Sequence, residues 1–220
     1  VEITDLVDRE GENLLTVQLD TREDPTIPPF GFVIDYLTYG GLYREVWLEA
    51  TAESRLTDLF VYTPTLQEAV VQWTAELTPA AAAVRIRLET TEGTLLAEQT
   101  APAAETGKMQ LSVPEAQPWD TEHPVLHHAV AELLNAAGQP IDRKQVTFGF
   151  RTAEFRADGF YLNGKKTFLR GLNRHQSYPY IGYAAPESLQ REDARILQEE
   201  LHCTAVRTSH YPQSQYFLDE

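Results

Sequence analysis

Between residues 56 and 152 the chain runs through short apolar-alternating segments at close intervals, and this limits its fold more than any other feature. The segments are residues 59–62, 69–77, 84–90, 95–100, 109–113, 125–134 and 146–151, separated by Pro, Gly or polar turns. A side-chain period of two sends one face of each run into a core and the other to water. Seven such runs in about 100 residues are what an immunoglobulin-like sandwich requires. Residues 129–137 carry a competing signal, because Ala, Glu and Leu all favour a helix. His127, Ala129, Ala131 and Leu133 nonetheless alternate, and Ala137-Gly138-Gln139-Pro140 offers a hairpin-like turn. A strand is therefore expected there.

The flanks read differently. In residues 1–52, Val1-Glu2-Ile3-Thr4 and residues 14–20 alternate, and Leu42-Tyr43-Arg44-Glu45-Val46-Trp47-Leu48 follows Gly40-Gly41. These predict strands with no partners of their own, as at the tail of a larger sandwich. The proline cluster Pro25, Pro28 and Pro29 forces a loop between them. Beyond Phe155, Phe160-Tyr161-Leu162 and Thr167-Phe168-Leu169 flank Asn163-Gly164, the dipeptide suited to a type I′ hairpin turn. Residues 170–175 then predict a strand, Pro186 stands at the opening of a helix over residues 187–201, and residues 204–208 predict a second buried strand. Tyr216-Phe217-Leu218 begins another helical face. Strand, helix, strand, helix is the opening of a parallel α/β unit.

Composition removes some function classes. With 18 Lys+Arg against 33 Asp+Glu, the formal charge of −15 sets up a negative field that repels phosphate backbones and anionic membranes. This argues against nucleic-acid and membrane partners, and no 18-residue apolar stretch stands ready to span a bilayer. A single Cys203 makes no internal disulfide, so nothing requires an oxidising compartment and a cytoplasmic setting is favoured. Cys203 itself reads as a small buried hydrophobe. Trp73 and Trp119 are expected to fill sandwich cores. His123, His127 and His128 are not completed by Cys or clustered carboxylates, so no metal site is expected.

Chemistry concentrates in two runs, Arg170-Gly171-Leu172-Asn173-Arg174-His175 and Ala205-Val206-Arg207-Thr208-Ser209-His210-Tyr211-Pro212. In a parallel α/β barrel, residues at the carboxyl ends of strands face the active-site mouth. His175 ends the first strand; Arg207 and His210 end the second. Imidazoles and a guanidinium suit polyhydroxyl ligands, since directional donors select hydroxyl geometry. The residues alone leave two readings open, a shared ligand site and a capped structural polar cluster. The pairs Glu192-Asp193 and Asp219-Glu220 fall in helical segments away from the strand ends and read as solvated helix faces.

These runs, with Gly40-Gly41-Leu42-Tyr43-Arg44-Glu45-Val46-Trp47, Phe148-Gly149-Phe150-Arg151 and Leu162-Asn163-Gly164-Lys165, resemble glycoside hydrolase family 2 in order and spacing across nearly the whole chain. The resemblance implies a mainly β chain in three parts. Residues 1–52 would be the C-terminal part of a jelly-roll sugar-binding domain, 53–152 an immunoglobulin-like β-sandwich, and 153–220 the first βα units of a TIM barrel. It also implies a retaining exo-β-glycosidase acting on terminal β-linked sugars, with one Glu as acid/base and a second as nucleophile. Neither Glu matches a position here, so the chain by itself is expected to be inactive.

The motif match implies that His175 and His210 hydrogen-bond the sugar and that Arg207 orients the catalytic carboxylates, contributions to transition-state binding and not to proton transfer. Asp35 lies near where some β-galactosidases of the family send a carboxylate into the pocket; a surface-loop Asp is the other reading. Two positions depart from the family pattern: many relatives have an acidic residue where this chain has Gln176, and Asn where it has Thr204. The stretch from His175 to Tyr183 resembles the β-galactosidase branch more than the β-glucuronidase one, making β-D-galactosides the expected substrates. No cofactor is expected in the chain, while the resemblance allows Mg or Na in a longer parent. An unfinished barrel exposes apolar edges and faces, which leaves homo-oligomerisation open. The rival from another class is a non-catalytic carbohydrate-binding or adhesive sandwich, which has no need to begin a parallel barrel.

Overall fold

Six strands form where the alternation predicts them, β1 (Arg55–Thr65), β2 (Glu68–Glu76), β3 (Ala83–Thr90), β4 (Leu95–Pro102), β5 (Thr106–Ser112) and β6 (His127–Leu134), and the seventh, β7 (Pro140–Phe148), begins at Pro140 and shares only residues 146–148 with the run expected at 146–151. They make two sheets in the orders β1-β2-β5 and β4-β3-β6-β7, with every pair antiparallel. Leu59, Val71, Trp73, Met109 and Leu111 of the first sheet pack with Val84, Ile86, Leu88 and Leu133 of the second in one buried cluster. Each fully buried aliphatic side chain stabilises the fold by about 1.5–3 kcal/mol. Small residues on β6 stand opposite large ones on β3, Ala131 against Ile86 and Ala129 against Leu88.

Residues 129–134 form strand and not helix, and the reason is tertiary. β6 lies between β3 and β7, so both of its edges are satisfied by ladders. Its burial exceeds simple alternation, because Val130, Glu132 and Leu134 are buried as well. Glu132 is tolerated there by two guanidinium groups: Arg85 Nε and Nη2 donate to Oε2 at 2.9 and 2.6 Å, and Arg87 Nη2 donates to Oε1 at 3.2 Å.

Trp73 fills the core as expected, with its indole N–H donating to the Ala104 carbonyl at 3.0 Å. Gly107 faces it across the ladder, where a Cβ would fall 2.2 Å from the ring. Trp119 corrects the expectation. It is half-buried in a segment bridged to Phe150 through Pro118, outside the named strands, with the Arg151 guanidinium 4.7 Å over its ring. Cys203 is also half-buried.

The computed structural model describes residues 1–22, 24–27 and 39–220. They divide into two units, Leu48–Leu172 with His202–Arg207, and Val1–Trp47 with Asn173–Leu201 and Thr208–Glu220. The first unit holds the sandwich and a three-stranded sheet in the order β10-β9-β8, with β8 at Ala153–Arg156, β9 at Gly159–Leu162 and β10 at Lys165–Thr167. Asn163 and Gly164 take φ of 52° and 76° between paired Leu162 and Lys165, as a type I′ turn demands. β8 escaped sequence reading because all four of its residues are exposed and show no alternation.

The chain continues through β11 (Gly171–Arg174), α1 (Glu187–Arg195), a π-helical turn (Ile196–Glu200), β12 (Ala205–Thr208) and α2 (Gln215–Asp219). β11 pairs with β12. The Thr204 N–H donates to the Arg170 carbonyl at 2.8 Å, and the Ser209 N–H donates to the Arg174 carbonyl at 3.2 Å. Residue numbers rise together along both strands, so the pairing runs parallel. The expected helix over 187–201 is α-helical only to Arg195; beyond it the Leu201 N–H reaches the Ile196 carbonyl at 3.0 Å.

The strands expected in residues 1–52 are not formed. Val1-Glu2-Ile3-Thr4, residues 14–20 and residues 42–48 carry turns and irregular backbone but no ladder, and Leu14, Leu15, Trp47 and Leu48 are exposed. Alternation supplies a strand's faces but not its edges, and no described residue offers these segments a partner.

Candidate functional site

Around the end of β11 burial alternates with a period of two: Arg174 buried, His175 exposed, Gln176 buried, Ser177 exposed. The extended backbone at this strand end accounts for the pattern, sending neighbouring side chains to opposite sides. After β12, Ser209 is buried and His210 exposed, and the Ser209–His210 peptide is cis.

Within the unit of Val1–Trp47, Asn173–Leu201 and Thr208–Glu220, the structure brings His175 and His210 together, with ring centroids 5.4 Å apart at 74°. Tyr211 stands beside them, its hydroxyl 3.5 Å from His175 Nδ1 and its ring centroid 4.7 Å from that of Tyr183. Tyr39 and Tyr43 also pack edge-on against Tyr183, with ring centroids at 4.7 and 5.6 Å. Two exposed imidazoles, each carrying a donor or acceptor at either ring nitrogen, thus sit beside a cluster of aromatic rings built around buried Tyr183.

The other expected site residues stand differently. Arg207 is exposed on β12 and belongs to the unit of the sandwich. Asp35 lies outside the described residues.

Beneath the histidines the buried residues form a polar layer. Arg174 Nε and Nη2 donate to Asp193 Oδ2 at 2.9 and 2.7 Å, Nη2 to Gln190 Oε1 at 2.7 Å, and Nη1 to Gln213 Oε1 at 2.5 Å. The guanidinium also lies 4.0 Å over the Phe217 ring. This ties the end of β11 to α1 and α2. Burial, with the Asp193 carboxylate beside it, pushes the Tyr178 hydroxyl up to about 12, so it stays protonated and donates to the Leu189 carbonyl at 3.4 Å. Gln176 is buried among Arg44, Pro212 and Ser214.

The carboxylate pairs on the helices need correction. Asp193 is an ion-pair partner of buried Arg174, and Glu220 receives both Arg191 and Arg195 at 3.0 and 3.1 Å. Those guanidiniums hold the Glu220 carboxyl below its ordinary range. Asp193 ties α1 to the end of β11 and Glu220 ties the end of α2 to α1, whereas Glu192 is an exposed partner of Arg195. Among the described residues no three His, Cys, Asp or Glu side chains gather as metal ligands, and no helix is long and apolar enough to cross a membrane.

Sequence reasoning assigned no role to Arg44, Arg174 or Tyr211, although each lies inside one of the motif runs. Arg174-His175-Gln176-Ser177 is polar throughout, so the alternation of burial around His175 shows only in the structure.

Comparison with known proteins adds a second kind of finding. The model of Glycosyl hydrolases family 2 matches residues 54–151, and that of Glycosyl hydrolases family 2, TIM barrel domain, matches residues 153–220. A beta-galactosidase of Thermoanaerobacter pseudethanolicus is 39% identical over 217 residues, covering 94% of this chain and 29% of the relative. A beta-galactosidase of Thermoanaerobacterium thermosulfurigenes is 38% identical over 235 residues, covering 100% of this chain and 32% of the relative. The crystal structure of an FMN-binding beta-glucuronidase from Facaelibacterium prausnitzii L2-6 matches with a TM-score of 0.76 at 26% identity, covering 90% of this chain and 32% of that one. The chain spans about a third of the length of the curated relatives it matches.

Proposed function

The chain belongs to glycoside hydrolase family 2, and from that premise we propose that it is part of a retaining exo-β-glycosidase that removes terminal β-D-galactosyl groups. The observation that carries the choice of sugar is the identity of 39% and 38% to relatives named beta-galactosidase, against 31% to a relative named putative beta-glucuronidase. In this reading His175 and His210 hydrogen-bond hydroxyls of the sugar. Paired imidazoles discriminate hydroxyl positions by direction and gain most when the ring distorts toward the transition state. Arg207, by its motif match, orients the carboxylates that perform the chemistry, and Asp35 contributes a further polar contact. Residues 1–52 are the end of a jelly-roll domain whose remaining strands supply the edges that its exposed leucines lack.

The two glutamates of a retaining mechanism have no counterpart in these residues. The purified 220-residue chain should therefore leave a nitrophenyl β-galactoside intact; measurable hydrolysis would overturn this. In a longer protein from the same reading frame, His210→Ala should lower kcat/KM by about 100-fold or more with the fold retained. Unchanged kinetics would remove His210 from the site. A β-glucuronidase is the second reading, favoured by the structural match, and hydrolysis of a nitrophenyl glucuronide in preference to the galactoside would select it.

A further inference from the structure

Gln176 follows His175 in the chain and is 1% exposed. Its Oε1 accepts from Arg44 Nη2 at 3.1 Å and from the Ser214 backbone N–H at 3.2 Å, while its Nε2 donates to the Pro212 carbonyl at 3.2 Å. Its own backbone N–H donates to the Tyr211 hydroxyl at 3.1 Å. Arg44 closes the ring by donating to the same Pro212 carbonyl at 3.1 Å. A buried carboxamide left unsatisfied is costly, and one satisfied from several segments holds those segments in a single arrangement. Here the segments are the residue beside His175, the residues following His210, and the Tyr43-Arg44 stretch. Tyr211 connects the brace to the site through its contact with His175 Nδ1 at 3.5 Å.

We infer that Gln176 is the positioning residue of the histidine pair, and that its side chain sets the spacing and tilt at which His175 and His210 meet one ligand. Its chemistry fits the place. Two of its side-chain partners are donors and the third is an acceptor, a set that an amide matches and an alkyl chain cannot. A carboxylate matches the two donors; its second oxygen faces the Pro212 carbonyl as acceptor against acceptor, a repulsion that the Arg44 guanidinium, within 3.1 Å of both the side chain and that carbonyl, offsets. Gln176→Glu should therefore retain the brace, and Gln176→Leu, close in size but without polar atoms, should lose it. The inference deepens the sugar-holding reading of the two histidines. It rests on that reading for its consequence, while the brace itself is tested without any sugar.

The test is nuclear magnetic resonance on the 220-residue chain with labelled histidine and tyrosine rings, followed by titration with a thiogalactoside. The wild-type chain should show Overhauser cross-peaks from His175 to His210 and from His175 to Tyr211. Gln176→Leu should lose both while methyl signals of Val71, Ile86 and Leu133 in the sandwich stay in place. Gln176→Glu should keep both. The thiogalactoside should bind Gln176→Leu about ten-fold or more weakly than the other two chains. Wild-type cross-peaks in Gln176→Leu would overturn the inference, and so would their loss from Gln176→Glu together with melting of residues 173–201, which marks a merely structural role. A wild-type chain with both cross-peaks intact and no response to the sugar would defeat the sugar reading and leave the brace standing.

Discussion

Arg174→Met separates packing from hydrogen bonding beneath the histidines. Methionine keeps most of the stem and its contact with Phe217, but removes every donor that the guanidinium supplies. Gln190 and Gln213, both buried, then lose the partners that now reach their oxygens at 2.7 and 2.5 Å. Each amide oxygen left unsatisfied costs about 1–3 kcal/mol. Asp193 loses two donors but is about 29% exposed on its side chain, so water recovers part of its share. The sum falls in the range of about 3–5 kcal/mol observed when one partner is removed from a buried pair. Against a typical domain stability of about 5–15 kcal/mol, that is enough to open the segment often. Amide hydrogen exchange is the assay: protection should fall across residues 173–201 and 208–220, while β3 and β6 serve as an internal control. Arg174→Lys should fall in between, because one ammonium cannot reach three acceptors as a planar fork does. Added salt should not restore the loss, since the Arg174 side chain is only 5% exposed. A loss below about 1 kcal/mol, or one shared equally by β3 and β6, would refute the reasoning.

Three further outcomes follow from the sandwich and from the β11–β12 junction. Burial lowers the His127 pKa below its ordinary 6.5, a nearby Glu92 pulling the other way and His128 adding to the fall, and its Nδ1 has no partner. The unfolded chain then takes the proton first, so stability present above pH 6.5 should decline as pH falls below that value, and His127→Phe should flatten this part of a denaturation-midpoint profile. Ile86→Ala, at a fully buried position, should cost about 2–5 kcal/mol in urea unfolding. Gly171→Ala would set a methyl 1.8 Å from the Ala205 carbonyl oxygen; about 1–3 kcal/mol of overpacking should appear as lost exchange protection at the Thr204 and Ala205 amides.

Legibility in the sequence followed the range of the interactions. The seven sandwich strands, the Asn163-Gly164 turn and the helix from Glu187 were readable because alternation, positive φ and helical period are local properties. β8 was not, having four exposed residues and a role only as an edge beside β9. Of the candidate site, His175 and His210 were legible as motif residues at strand ends. Their supports Arg44 and Arg174 were visible as letters without function, because Gln176 lies 132 residues from Arg44 and the side-chain partners of Arg174 lie 16 to 39 residues away, while Gln176 was legible only as a departure from the family pattern.

The sequence by itself determined the number and order of the sandwich strands, the parallel β11–β12 beginning and the family, since each depends on periodicity or on motifs in register. Only the tertiary structure decided which alternating runs become strands, for a ladder needs an edge from elsewhere in the chain: residues 129–134 find two, and residues 14–20 find none among the described residues. It also decided that Asp193 and Glu220 are ion-pair anchors and not a solvated face. A carboxylate's role is set by the guanidinium that reaches it, and in a folded chain that group arrives from another element.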